Sequence, residues 1–274
     1  TTLVAFFCLY TSIHMLSHIQ SAGPMSSLDY NIGNWPAHVG IVYHIDIGNA
    51  YILTIVSAIS AFVFPYAKAS VEKEIDNDKI HYFYAALVLC FTGLMGIAAT
   101  GDAFNVFVFL EISSLSTYAI VAMGDREGEP PHASVAAYRY LILGTIGGTF
   151  ILLGIGFLYM MTGTLNMMEL AQKIPGVAET STIRAAFAFI TVGASIKLAL
   201  FPLHMWLPNT YTYAPSVVSA FLSATATKVS FYVLLRVMQT QLSILVSFGI
   251  PILTAMDMEA QPALKPVNEI YPRT

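Results

Sequence analysis

The sequence predicts an all-α fold, a polytopic transmembrane helix bundle of about 7–8 spans with one proline-broken helix near 194–208. Three observations predict it. Of the 274 residues, 56% are hydrophobic and only 10% charged, with mean hydropathy +0.68, whereas soluble domains carry about 25% charged residues. Seven apolar runs reach the roughly 20 residues that a helix needs to cross a bilayer. One of them, "ASIKLALFPLHMWLP", holds a cation and two prolines where a bilayer should be.

In chain order the seven runs are 2–20, 47–67, 80–100, 104–124, 136–161, 184–207 and 214–238. An eighth, 241–256, is short and contains Pro251. It reads as a strained span, a re-entrant piece or an interfacial helix. The polar, Pro-rich remainder reads as a tail. "TGD", Thr100 to Asp102, makes a tight corner, with Asp102 as N-cap of the next helix. "APSVVSAF" begins another helix with Pro215 in its first turn, where the missing N–H costs nothing.

Charge sets the expected orientation. Lys68, Lys73 and Lys79 lie in 68–79, and Arg126 and Arg139 in the connection near 125–139, whereas 21–46 has no Lys or Arg. The positive-inside rule then places 68–79 and 125–139 in the cytoplasm. It places 21–46, 101–103 and, by alternation, 162–183 outside. Snorkelling explains Arg139, expected to open its helix at the cytoplasmic edge.

Composition also excludes. A net charge of −4 without a basic stripe argues against nucleic acid. Cys8 and Cys90 are isolated in apolar runs, which speaks against disulfides, iron–sulfur ligation and zinc fingers. No metal site and no cofactor is expected. No nucleophile–base pair or phosphate loop stands out, so the chain does not read as an enzyme. His14 and His18 share one helix face and read as core or surface histidines. Phe, Tyr and Met read as ordinary membrane packing. No secretory signal is visible. A first residue Thr1 rather than Met fits a processed or incomplete N-terminus.

Three strongly ionisable side chains fall deep inside spans: Glu111, Lys197 and Lys228. Each costs about 2.5–3.5 kcal/mol at a helix centre, so they must face each other, water or a partner. One acid and two bases at mid-membrane suit a proton relay. A carboxylate beside Lys197 favours its charged form, and loss of that partner favours the neutral one. The plainer reading is a static ion pair that fixes packing. For Lys228, beside Ser223, Thr225 and Thr227, the plainer reading is a bond to backbone carbonyls. Pro202 and Pro208 each remove a helix hydrogen bond, at the carbonyls of Leu198 and His204. They predict a break one turn beyond Lys197, against the alternative of a simple kink. Polar backbone at that depth needs protein or water around it, and transporters build ion sites on such broken helices. His204 either passes protons between Lys197 and the cytoplasmic side or is a satisfied interfacial histidine.

The runs "TGDAFNVFVFLEISSL", "YRYLILGTIGGTFILLGIGFLY" and "GASIKLALFPLHMWLPNTYTYAPSVVSAFLSATATKVSFYVLLR" occur in this order over about residues 29–238. They closely resemble the antiporter-like subunits of Mrp-type sodium/proton antiporters, respiratory complex I and membrane-bound hydrogenases. The D subunit of the Mrp type looks nearest. The resemblance implies two inverted five-helix repeats within about fourteen spans, each repeat with one broken helix. It implies that Glu111 is the acid of the first repeat, that Lys197 is its partner on the broken helix, and that Lys228 hands protons towards the second half. It divides the chain into N-terminal helices and loops over 1–79, a five-helix antiporter-like repeat over 80–238, and a short apolar segment with a polar tail over 239–274.

The second repeat, with its own broken helix and terminal charge, is missing from this sequence. The expected function is an ion-translocating subunit of a multisubunit membrane complex. It would carry protons, or exchange sodium for protons, and hold no redox centre. Other membrane subunits would be its partners, one of them supplying the second repeat, in a prokaryotic plasma (inner) membrane. The alternative is a truncated antiporter-like chain serving as a structural accessory subunit of another membrane complex.

Overall fold

The computed structural model describes residues 1–23, 26–37, 40–125 and 130–240. Arg126 and the whole run 241–274, with its expected eighth span, lie outside the described residues. Among the described residues, seven helices are long and apolar enough to cross a membrane. They are α1 (Thr2–Ala22), α2 (Ile47–Glu74), α3 (Ile80–Ala99), α4 (Ala103–Ala122), α5 (His132–Thr162), α7 (Ser181–Leu198) and α9 (Ser216–Thr240). Two short helices interrupt the series, α6 (Met167–Lys173) and α8 (Leu207–Tyr213). The protein is an integral membrane protein built as a helical bundle.

Side-chain caps define many of the ends. Asp46 Oδ1 accepts the Asn49 N–H at 2.9 Å and starts α2; Asp102 Oδ1 accepts the Asn105 N–H at 2.7 Å and starts α4, as the sequence predicts. Asn166 accepts the N–H groups of Met168 and Glu169 and starts α6. Gly163 closes α5 at φ 68, a left-handed conformation in which a Cβ is disfavoured. Pro215 sits just before α9 and gives its carbonyl to the N–H groups of Val218 and Ser219.

Two expectations need correction. α5 begins at His132, not near 136, so the exposed Arg139 lies two turns inside it instead of opening it. The cause is Asp125, whose carboxylate accepts the N–H of Ala133 at 2.7 Å and of Ser134 at 3.1 Å. α2 runs through Pro65 and on to Glu74, seven residues beyond the apolar run. The added residues, "KASVEKE", are mostly good helix formers. Between α1 and α2, β1 (Leu28–Asn31) and β2 (Val42–Ile45) pair as an antiparallel hairpin.

That hairpin gathers one end of the bundle. Tyr43 pairs with Thr100, and Asp102 with Asn166. The connections 23–46, 100–102 and 163–180 therefore share one end. At the other, Glu74 Oε2 accepts the Ser216 N–H at 2.7 Å, and His132 stacks on Tyr213 at 5.0 Å.

Small residues let the central helices approach. A Cβ on Gly93 would meet Ser113, and one on Gly96 would meet Phe109, which seats α3 against α4. Gly147 and Gly154 on α5 face Gly193 and Ile190 on α7 in the same way. Helices in lipid associate through such close contacts because there is no hydrophobic drive between them. The core, with Phe64, Phe83, Phe91 and Phe221, lies between α2, α3, α4 and α9. α1 packs chiefly against α2 and exposes Leu3, Phe7 and Tyr10.

Candidate functional site: a buried ion pair on a broken helix

Glu111 and Ser114 lie one turn apart on α4 and face α7. Lys197 Nζ donates to Glu111 Oε1 at 3.0 Å and to Ser114 Oγ at 2.7 Å. The lysine side chain is 5% exposed and the carboxylate 22%. The pair solves the problem set by its own charges. Each alone would be expensive at this depth, and mutual attraction with an added hydroxyl offsets the desolvation. Gly148 on α5 supplies the space, because a Cβ there would collide with Glu111 Oε1.

α7 ends one residue after Lys197, earlier than the prolines alone predict. Ala199 turns left-handed (φ 58, ψ 42), with its N–H on the Ile196 carbonyl and the Leu200 N–H on the Ser195 carbonyl. This is the hydrogen-bond pattern of a Schellman terminus. Alanine is poorly suited to that conformation, at roughly 1–2 kcal/mol. Pro202 follows in the irregular segment, after a cis peptide bond from Phe201. Pro208 is no breaker: it sits in the first turn of α8, where a missing N–H is harmless. Lys197 thus occupies the last turn of the helix, with the break two residues beyond it and not a full turn away.

Aromatic residues seal the gap between α7 and α8. Trp206 Nε1–H donates to the Ile196 carbonyl at 3.0 Å. Its ring stacks on Tyr140 of α5 at 4.0 Å and 1°, and Tyr140 meets Tyr118 of α4 edge-on at 4.6 Å and 85°. All three are buried. Aromatic content read as ordinary packing therefore has a local role that composition could not reveal. The positions do carry a signal: Glu111, Ser114 and Tyr118 are spaced i, i+3, i+7, one stripe of α4.

A small cavity of ≈ 20 Å³ adjoins the lysine, bounded by Ser113, Thr117, Lys197, Trp206, Thr227 and Ser230. A volume near 10–15 Å³ with several polar partners is enough for one water. Two residues expected here stand apart. Lys228 is exposed on α9 and donates back to the Ser223 carbonyl, while its neighbours Thr227 and Ser230 face the cavity. His204 is half-buried beside Phe201, and its Nδ1 is buried with no hydrogen-bond partner among the described residues. His14 and His18 are exposed on α1. Among the described residues no group of His, Cys, Asp and Glu is placed to hold a metal.

Fold and site together define a polytopic helical membrane protein with an acid–lysine pair at the end of an interrupted helix. Residues 100–257 match the family described as NADH:quinone oxidoreductase/Mrp antiporter, transmembrane, and the chain belongs to that family. It is 44% identical over 213 residues, 76% of this chain and 40% of the relative, to the N subunit of the NADH-quinone oxidoreductase of Desulforudis audaxviator. It is 28% identical over 205 residues, 75% of this chain and 40% of the relative, to the D subunit of the Na(+)/H(+) antiporter of Alkalihalophilus pseudofirmus. Identity is thus higher to that oxidoreductase subunit than to this antiporter subunit, contrary to the sequence-based expectation. Among solved structures, a chain of the archaeal membrane-bound sulfane sulfur reductase superposes with TM-score 0.78 at 27% identity, over 87% of this chain and 47% of that one. The chain spans about 40% of the length of these curated relatives.

Proposed function

We propose that this chain is an ion-translocating subunit of a multisubunit membrane complex, with Lys197 as its switchable carrier. The single observation that carries the reading is the 3.0 Å contact between Lys197 and Glu111 at a helix terminus. A lysine there has two stable situations. Against Glu111 and Ser114 it is held as the ammonium. Turned into the adjoining cavity, it loses the carboxylate and favours release of its proton. Moving one side chain thereby moves one charge. The cargo is the proton, with sodium/proton antiport as the variant that the relative named as a Na(+)/H(+) antiporter component supports.

The pair forms one half of a path. Residues 80–238 act as one antiporter-like repeat, and another subunit or a further stretch of chain supplies the remainder. The 40% coverage of the relatives supports this reading. Lys228 is the outlet, because its exposed face on α9 is where a further helix would receive charge from this repeat. His204 and the irregular segment after Ala199 serve the other end. The subunit carries no redox chemistry itself; where the parent assembly is an oxidoreductase, electrons run elsewhere. We place it in a prokaryotic plasma membrane, with 68–79 and 125–131 on the cytoplasmic side.

The test is ion flux in membrane vesicles that contain the assembled complex. Lys197→Ala abolishes transport while the chain remains in the membrane at normal abundance. Undiminished exchange in that variant would refute the carrier role. A second reading, a structural accessory subunit, is favoured by the same short coverage of the relatives. It expects the Glu111→Gln, Lys197→Met double variant to alter assembly and leave flux intact.

A further inference from the structure

The lysine is held at both ends. Its ammonium is fixed to α4 by Glu111 and Ser114. Its backbone lies in a helix terminus, where carbonyls lack the donors of a following turn. There the Ile196 carbonyl accepts the Ala199 N–H and, from beyond the break, the Trp206 indole N–H at 3.0 Å. The turn between them is not self-stabilising, because Ala199 is held left-handed without being glycine. Ala199 packs on the Tyr118, Tyr140 and Trp206 cluster. Tyr118 stands on the stripe of α4 that carries Glu111 and Ser114. The contacts therefore close a ring: Lys197 to Glu111 and Ser114, along α4 to Tyr118, across to Tyr140, to Trp206, and back to the peptide before Lys197.

We propose that Trp206 is a positioning residue for Lys197, and that the Tyr140–Trp206 stack is the joint that loosens when Lys197 leaves Glu111. The carrier part of this rests on the proposed function; the positioning part does not. Tyr140, Trp206 and Lys197 line the same ≈ 20 Å³ cavity, whose far wall is Thr227 and Ser230 of α9. A lysine turning away from Glu111 enters that space past the two rings. A shift of the α7 terminus instead pulls the Ile196 carbonyl from the indole. Either movement disturbs the stack, so the state of Lys197 is coupled to the start of α8.

Two measurements on the full chain in native-type membranes or mild detergent test this. The first is labelling of Lys197 by acetic anhydride, quantified by mass spectrometry. Trp206→Phe keeps a ring and loses the indole N–H. Lys197 labelling rises about threefold or more, the factor for loss of one hydrogen bond, while exposed Lys79 and Lys173 label as before. Tyr140→Phe preserves the stack and the protection; Tyr140→Leu loses both. Wild-type labelling in a folded Trp206→Phe variant overturns the proposal.

The second measurement uses fluorescence. The chain has two tryptophans, and Trp35 is 62% exposed in the connection after α1. In a Trp35→Phe background, emission of Trp206 shifts when Glu111→Gln or Lys197→Met is added. Superimposable spectra overturn the proposal, and they decide the matter if Trp206→Phe does not fold. Neither readout requires transport. Normal flux in Lys197→Ala removes the carrier role and leaves these results standing, so the two failures are distinguishable.

Discussion

The Glu111 carboxylate lies where the side chain of residue 148 would begin: a Cβ on Gly148 would overlap Glu111 Oε1. The glycine is therefore part of the site, although it carries no functional group. Gly148→Ala displaces the far end of a flexible side chain, not a backbone, so the fold survives while the Lys197 contact loosens. Gly193→Ala differs, because its Cβ meets the Gly147 carbonyl and Ile151 and forces α5 from α7. Gly193→Ala then loses more thermal stability, and Gly148→Ala loses more ion flux relative to its stability change. Thermal melts and vesicle flux on both variants check the reversal.

The pair is asymmetric, with Lys197 at 5% side-chain exposure and Glu111 at 22%. Removing the acid strands the more buried charge. Glu111→Ala is expected to destabilise by about 3 kcal/mol, at the lower edge of the range for a broken buried pair. Lys197→Met costs less, since its orphaned partner is better solvated. The double variant recovers most of the loss. A double-mutant cycle on unfolding in detergent measures this, and equal costs for both single variants would contradict the asymmetry.

Asp125 offers a pH-dependent test outside the membrane. Slight burial works against its charge, but bonds from the Ser134 hydroxyl and the Ala133 and Ser134 N–H groups, with His132 nearby, hold its carboxyl below the usual carboxylate range. A depressed folded-state value gives stability above the unfolded-chain value of about 3.9, lost as pH falls through the folded-state value. Asp125→Asn should lower stability by about 1 kcal/mol at pH 7, the difference between hydrogen bonds to a charged and to a neutral acceptor. The difference from wild type should vanish well below pH 3.9. A gap that persists there would show that charge is not the cause.

Lys228 is exposed and, among the described residues, bonds locally, to the Ser223 carbonyl. Lys228→Met should change the stability of this chain by less than about 0.5 kcal/mol, as surface substitutions do. Within the assembled complex the same variant should reduce flux, because its proposed role is delivery outward. A large stability loss in the isolated chain would assign Lys228 to packing.

Much of the fold was legible because a bilayer imposes a simple rule: apolar runs of about 20 residues become helices. All seven long runs did so. The capping role of Asp102 was readable from its place before an apolar run. The hairpin was not: β1 is exposed along its length and shows no apolar alternation, and a bridge from Tyr43 to Thr100 ties β2 to the bundle end. The start of α5 was missed because its cap, Asp125, lies eight residues upstream of Ala133.

The sequence by itself placed Glu111, Lys197 and Lys228 within long apolar runs and called for a break or a kink after Lys197. Charge is costly in lipid wherever it occurs, so its presence in an apolar run is informative without coordinates. Only the tertiary structure decided that Lys197 pairs with Glu111 while Lys228 turns away. Position 228 is one residue from Thr227, and a helix turns about 100° per residue. Which face of α9 turns inward is set by its packing, chiefly against α2 and α7. Nor could sequence decide where α7 stops: Ala199 holds a turn that its own preferences oppose, kept in place by Trp206 and Tyr140 from elsewhere in the fold.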